Sequence, residues 1–178
     1  EVFFREFSTQ KVSFSLFPYD IDMHDFMCDH LIVKDKDNNQ VIACYRLLSC
    51  SSDKKEGRYY SEGEFDLSEF LNLPGTKLEL GRACVHKDYR KGTVISLLWK
   101  GLLQYARLSG ARYMFGCSSV NRKDFENFPS ILAWLEANNG LIKDYSIGIA
   151  KRYRVPFDLK TDGGEPSSKG MASLMQMY

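Results

Sequence analysis

Residues 77 to 92, "KLELGRACVHKDYRKG", put a carboxylate and a guanidinium into a run that otherwise has the composition of a buried strand. Isolated charges are costly inside a core, so Glu79 and Arg82 need a partner, water or a task. Strict alternation points the two side chains to opposite sides of the strand. One extra residue at Gly81 shifts the register, brings both to one side, bends the strand from its neighbour and leaves backbone N–H groups without strand partners. Such a site suits acyl transfer. Main-chain amides hold the carbonyl oxygen of an acyl donor as negative charge grows on it. The carboxylate takes a proton, directly or through water, from an attacking ammonium. The basic turn "HKDYRKG" leads next into a helix start, whose amides favour a phosphate. On spacing alone the plainer alternative is a solvated face with an ion pair, and one glycine-containing turn is a weak phosphate signal.

The elements that must position these residues can be read from period and turn chemistry. "HLIVKDKDNNQVIACYRLLSC" is a hairpin, two β-rich runs joined by Asp and Asn residues that tolerate turn conformations. A short helix is expected near 66–71, with Asp66 or Ser68 as its cap and Pro74-Gly75 closing it. The central strand spans 77–86. In the helix after it Val94, Leu97, Leu98, Leu102, Tyr105 and Leu108 recur at helical steps, and Gly110 is placed to end it. "ARYMFGCSSV" is a further strand, "SILAWLEANNG" another helix, and "IGIAKRYRVPF" a strand limited by Pro156. "EVFFREF" has the pattern of the end of an amphipathic helix, the stretch from Ser8 to Asp29 is a connection without clear period, and the tail ends on an apolar helical start. The alternation predicts an α/β fold, a mixed sheet with a hairpin beside a partly parallel β-α-β unit and a bulged central strand.

The whole chain sets bounds. Its 178 residues, 44% of them hydrophobic, suffice for one globular domain with a core. With 24 Lys+Arg against 23 Asp+Glu there is no global basic field to argue for nucleic acid. The cysteines, Cys28, Cys44, Cys50, Cys84 and Cys117, are odd in number and form no C-x-x-C pair, which fits reduced, buried thiols in a cytoplasmic protein better than a disulfide framework. His24, His30 and His86 share no ligand spacing with them, so no metal site is expected. No apolar run approaches the roughly 20 residues that span a bilayer.

The order hairpin, short helix, "LELGRACV", "YRKG", long apolar helix, "FGCSSV" resembles the GNAT acyltransferase fold. Within it the chain is similar to the ornithine-acyl-ACP N-acyltransferase group of aminolipid synthesis, a cousin of the acyl-homoserine-lactone synthases. The stretches "CDHLIV", "YRLL", "YYSEGEFDL", "ELGRACVHKDYRKG" with "LLWKGLLQYA", and "MFGCSSV" carry the resemblance in the family's order. It implies transfer of a (3-hydroxy)fatty acyl group from acyl carrier protein to the amine of a small amino acid such as ornithine or glycine, with the acyl-phosphopantetheine arm, or acyl-CoA, as co-substrate and no permanently bound cofactor. Carried over by position, Arg46, Glu79 and Arg82 line the site, and Asp29 matches an acidic position of the acceptor region. By chemistry Glu79 is the base or water-orienter, and Arg46 and Arg82 are partners for the acceptor's carboxylate or for Glu79 itself. An Arg46–Glu79–Arg82 network that only ties strands together is the rival.

Cys84, Val85, Ser118 and Ser119 complete the expected substrate site, the serines as partners for pantetheine amides, and Arg90, Lys91, Gly92 and Thr93 the phosphopantetheine and carrier site. "RKGTVI" departs from the pyrophosphate turn of common GNAT enzymes: Gly92 comes one position early, and Ile95 stands where a second small residue belongs. That turn disfavours free acyl-CoA, while a carrier-bound arm with one phosphate asks less of it. Cys117 is expected as a buried structural thiol, His86 as a surface residue, and Trp99 and Trp134 as core. "KRYRVPF" is a basic, aromatic patch able to touch lipid or carrier protein. The family implies a first strand before Glu1 and further strands after Tyr178, so the expected single domain, 1–178, lacks both. An acetyl-CoA-dependent N-acetyltransferase and an inactive GNAT-fold binding module are the alternatives.

Overall fold

A computed structural model describes residues 21–51, 59–90, 92–118, 127–141, 144–153 and 165–167. The expected helical end "EVFFREF", the apolar tail, Lys91 and Ser119 lie outside the described residues. In chain order the elements are β1 (Asp29–Lys34), β2 (Val41–Cys50), β3 (Phe65–Asp66), α1 (Ser68–Leu71), β4 (Thr76–Val85), α2 (Thr93–Leu108), β5 (Ala111–Phe115), α3 (Phe128–Ala137) and β6 (Gly148–Ile149). Two compact units divide the chain, Glu1–Tyr60 with Leu71–Gly116, and Ser61–Phe70 with Cys117–Tyr178.

The first unit holds a four-stranded mixed sheet in the order β1-β2-β4-β5, antiparallel except for the parallel pair β4–β5. The hairpin β1–β2 turns where Asp and Asn cluster. The Asp37 N–H donates to Asp35 Oδ1 at 2.9 Å, and Asn39 takes a positive φ of 58°, a conformation Asn tolerates better than most residues. Leu47 lies opposite Leu80, and these side chains turn to one face of the sheet with Leu78. Helix α2 covers that face with Val94, Leu98, Leu102 and Ala106. Its apolar stripe is narrower than the pattern implies, since Leu97 and Leu108 are exposed, the latter 80%. Gly110 ends the helix at a φ of +65°. Gly101 lets α2 approach β1, for a Cβ there would sit 3.0 Å from Leu31 Cδ1.

The ladder between β4 and β5 runs from Thr76↔Ala111 to Glu79↔Phe115 and stops, while β4 continues to Val85. The expected strand "ARYMFGCSSV" is thus shorter, and Gly116 supplies a reason: a Cβ there would lie 2.3 Å from the Leu80 carbonyl oxygen. Backbone cannot yield as a side-chain tip can, so Gly116→Ala is expected to cost roughly 1–3 kcal/mol, read by urea denaturation. A loss below a few tenths would show that the two strands part more easily than this contact implies.

In the second unit β3 pairs antiparallel with β6, Phe65 opposite Ile149. Asp66 Oδ1 accepts the Ser68 N–H at 3.1 Å just before α1, as the expected cap does. Helix α3 carries Pro129 in its first turn, where a missing N–H is harmless. The strand expected over "IGIAKRYRVPF" is only Gly148–Ile149, followed by a 3₁₀ turn at Lys151–Tyr153. Arg152 accounts for the break, turning its guanidinium back to donate to the Gly63 carbonyl. Among the described residues, no helix is long and apolar enough to cross a membrane.

Candidate active site

The bulge in β4 exists, one residue later than the sequence suggests. From Cys44 to Arg46 β2 advances two residues, while β4 takes three from Gly81 to Cys84. Gly81 stays in the ladder opposite Arg46, and Arg82 takes the left-handed conformation, φ +51°. Holding a non-glycine residue there costs about 1–3 kcal/mol, which its ion pair must help to offset. The extra residue does what the alternation argument requires. Glu79, opposite Leu48, shares the sheet face of Arg46, and Arg82 reaches the same carboxylate that Arg46 holds.

That carboxylate is Asp22, from a segment without readable period. Arg46 Nη1 donates to Asp22 Oδ1 at 2.8 Å and to Asp25 Oδ1 at 3.0 Å, and Arg82 Nη2 donates to Asp22 Oδ2 at 3.0 Å. A short 3₁₀ helix, Met23–Phe26, sets the two acids: Asp22 caps it by accepting the His24 N–H, and Asp25 reaches back to the Asp22 N–H. This reciprocal cap fixes the acids before they meet the arginines. The "D-x-x-D" spacing of Asp22 and Asp25 is their signal in the sequence, and it lies outside the apolar strands that carry the arginines. Both guanidiniums therefore have aspartate partners, which the sequence reading of Arg46, Glu79 and Arg82 does not include.

Glu79 and Arg46 are each only 5% exposed. Glu79 Oε2 accepts the Tyr60 N–H at 2.9 Å, and the Arg46 guanidinium lies 5.8 Å from the Tyr60 ring centre. Burial raises the Asp22 carboxyl, but the Arg46 hydrogen bond and charge, the His24 N–H and Arg82 outweigh it and hold it below the ordinary value. For Asp25 burial is likewise outweighed, by the Asp22 N–H and by Arg46. Arg46 is raised: burial works against its charge, and the two aspartates more than compensate. Cys28 is pushed up to about 11, chiefly by burial.

The other expected residues disperse. Asp29 stands opposite Leu47 and so on the face that α2 covers, where the Tyr105 hydroxyl donates to its carboxylate; the structure does not bring it together with Arg46 and Glu79. Burial and then Asp29 push Tyr105 up to about 12. Cys84 and Val85 follow the bulge, opposite Cys44 and Ala43. Arg90 curls back, its Nε donating to the Val85 carbonyl at 3.0 Å. Gly92 precedes α2 at φ +90° with no side chain capping the first amides, and Thr93 opens the helix, exposed. Ser118 is exposed in the second unit. Cys117, expected to be buried, is exposed, its sulfur 3.1 Å from Ser61 Oγ in the same unit; the strand that would have covered it ends two residues earlier. His86 is half-buried and caps the Lys87–Tyr89 turn.

Residues 1–100, more than half of the chain, match the model of the acetyltransferase (GNAT) domain. The chain belongs to the GNAT family. Among its relatives, the GNAT chain is 33% identical over 162 residues to L-ornithine N(alpha)-acyltransferase of Rhizobium meliloti, with 87% of this chain and 55% of that protein covered. It is 36% identical over 128 residues to the protein of the same name from Brucella abortus, 67% of this chain and 46% of that one. It thus spans about half the length of the curated relatives it matches. Among solved structures, a Trypanosoma brucei acetyltransferase aligns at a TM-score of 0.39 and 12% identity, covering 75% of this chain and 70% of the other.

Proposed function

We propose that this GNAT chain is the catalytic part of an acyl-ACP-dependent N-acyltransferase that acylates a small amino acid, ornithine first among them, at the start of aminolipid synthesis. The observation that carries the reading is the bulged β4 strand. It sets a buried carboxylate, Glu79, and a paired guanidinium, Arg82, on one face where the β4–β5 ladder ends. The names of the relatives supply the acceptor.

In this mechanism the donor thioester lies along β4 beyond Glu79, in the stretch that β5 no longer pairs. Main-chain N–H groups there take the carbonyl oxygen as it becomes an oxyanion. Glu79 accepts the proton from the acceptor ammonium, through water, so that a neutral amine attacks. The carbon–nitrogen bond forms, the carbon–sulfur bond breaks, and the carrier thiol leaves with a proton. Arg46 and Arg82, matched by Asp22 and Asp25, shape the floor of the site, and Glu79 is the further acidic side chain that meets a cationic acceptor. The uncapped start of α2 at Gly92 and Thr93, with Arg90 and Lys91 beside it in sequence, is the seat for the single phosphate of a carrier-bound arm.

The test is the full-length protein with 3-hydroxyacyl-ACP and a panel of amino acids, read as free carrier thiol. Release with ornithine is expected, and release with another amino acid alone changes the acceptor. No release, together with acetyl-CoA binding by calorimetry, favours a small-molecule N-acetyltransferase. Neither signal favours a binding module.

A further inference from the structure

We infer that Cys44 and Cys84 form a thiol–disulfide exchange site, a cross-strand dithiol that closes to an intramolecular disulfide by reaction with a low-molecular-weight disulfide such as oxidised glutathione. The two residues are far apart in sequence and stand directly opposite each other on β2 and β4. The His86 N–H donates to the Ile42 carbonyl at 2.8 Å in the same register. Hydrogen-bonded and non-hydrogen-bonded pairs alternate along an antiparallel ladder, so Cys44 and Cys84, two steps on, are a hydrogen-bonded pair with Cα atoms about 5.5 Å apart. A disulfide needs roughly 4.4–6.8 Å between Cα atoms. Opposed residues turn their side chains to the same face, so the two thiols are neighbours. Cβ atoms of a hydrogen-bonded pair stand about 5.5 Å apart, against roughly 3.5–4.5 Å in a disulfide, so closure draws the two strands slightly together beside the bulge.

The other cysteines lack this arrangement. Cys50 is opposite Lys77, Cys117 lies beside Ser61 in the second unit, and Cys28 precedes β1. Cys44 and Cys84 are both free thiols and half-buried, so a small reagent reaches them. The neighbouring Cys84 thiol brings the Cys44 thiol down to about 7, and Cys84 is itself raised. A thiol that titrates near the ambient pH is the better attacking group. The sequence expectation of reduced, buried thiols without a disulfide framework therefore changes for this pair once the strands are aligned.

The step balances without any further reactant. Cys44 thiolate attacks one sulfur of the low-molecular-weight disulfide, forming a mixed disulfide and expelling one thiolate. Cys84 loses its proton to solvent, attacks the Cys44 sulfur and expels the second. Two protein thiols are oxidised and one small disulfide is reduced to two thiols. Closure also draws the Cys44 sulfur from its place 3.8 Å from the Arg82 carbonyl, at the bulge itself.

The experiment equilibrates the full-length protein with glutathione mixtures of increasing oxidised fraction, blocks remaining thiols and maps the peptides. At the oxidising end the intact mass should fall by two hydrogens, with the Cys44 peptide joined to the Cys84 peptide and dithiothreitol restoring both. Cys84→Ser should instead retain one glutathione on Cys44. Persistent glutathione on wild-type Cys44 without the internal link, a link through Cys28, Cys50 or Cys117, or unmodified Cys44 would each overturn the proposal. If Cys84→Ser does not fold, the wild-type map decides alone. The readout is covalent, so it stands or falls apart from acyl transfer.

Discussion

Replacing Glu79 by Gln is expected to lower kcat for acyl transfer by about 10²- to 10⁴-fold, the range that a positioned general base supplies, with little change in KM for the acyl donor. Gln keeps the volume of Glu and its amide oxygen can still accept the Tyr60 N–H, now made at 2.9 Å to Glu79 Oε2. Local packing should survive, and what disappears is the ability to take a proton. The measurement is steady-state thiol release by full-length wild type and variant, with urea denaturation of both as the control for folding. Glu79→Asp provides a second reading, because it keeps the charge but withdraws it from the acceptor, and an intermediate rate is expected. A Glu79→Gln enzyme within threefold of wild type would place the proton acceptor elsewhere and leave Glu79 as a clamp on the Tyr60 amide.

The parts of this protein legible in its sequence are those that local chemistry decides. The hairpin is marked by β-rich runs on either side of Asp and Asn, and the turn uses those residues for their side-chain acceptors and tolerance of positive φ. Helix α2 is marked by its period, yet the pattern includes Leu97 and Leu108, which the sheet does not cover, and omits Ala106, which it does. Width of an apolar stripe is set by the partner surface, and a single sequence does not contain that surface. The bulge is legible as a necessity, since Glu79 and Arg82 could not otherwise share a face. Its position is not, because glycine is the residue one expects at positive φ. Arg82 takes that place because its guanidinium is anchored to Asp22, a tertiary contact across 60 positions. The same long-range pairing hides the Asp22 and Asp25 cluster and the Cys44–Cys84 pair, both of which exist only once β2 and β4 are aligned.

Asp22→Asn is expected to lower the unfolding free energy by roughly 1–3 kcal/mol at pH 7, the cost of leaving a buried charged group short of a partner. The figure sits at the lower end for a broken buried pair, because Asp25 still holds Arg46 and Asp22 is itself 28% exposed. The source of the loss can be identified by pH. Asp22 and Asp25 both have folded-state values below the ordinary 3.8. A carboxyl depressed on folding gives stability that is fully present above its unfolded value and lost as pH falls through the folded one. The gap between wild type and Asp22→Asn should thus be constant from pH 7 down to about 5 and shrink below about 4, as wild-type Asp22 is protonated too. A gap that stays unchanged into that acid range would assign the loss to packing or to the cap of the 3₁₀ helix. A double-mutant cycle with Arg82→Gln then separates the arginines: coupling of about 0.5 kcal/mol or more shows that the Asp22–Arg82 contact holds the bulge, and coupling near zero assigns the whole effect to Arg46. If the cluster behaves as an ion pair in both experiments, the left-handed conformation at Arg82 is held by charge drawn from outside the sheet, and the face that carries Glu79 is set by a segment whose sequence shows no regular element.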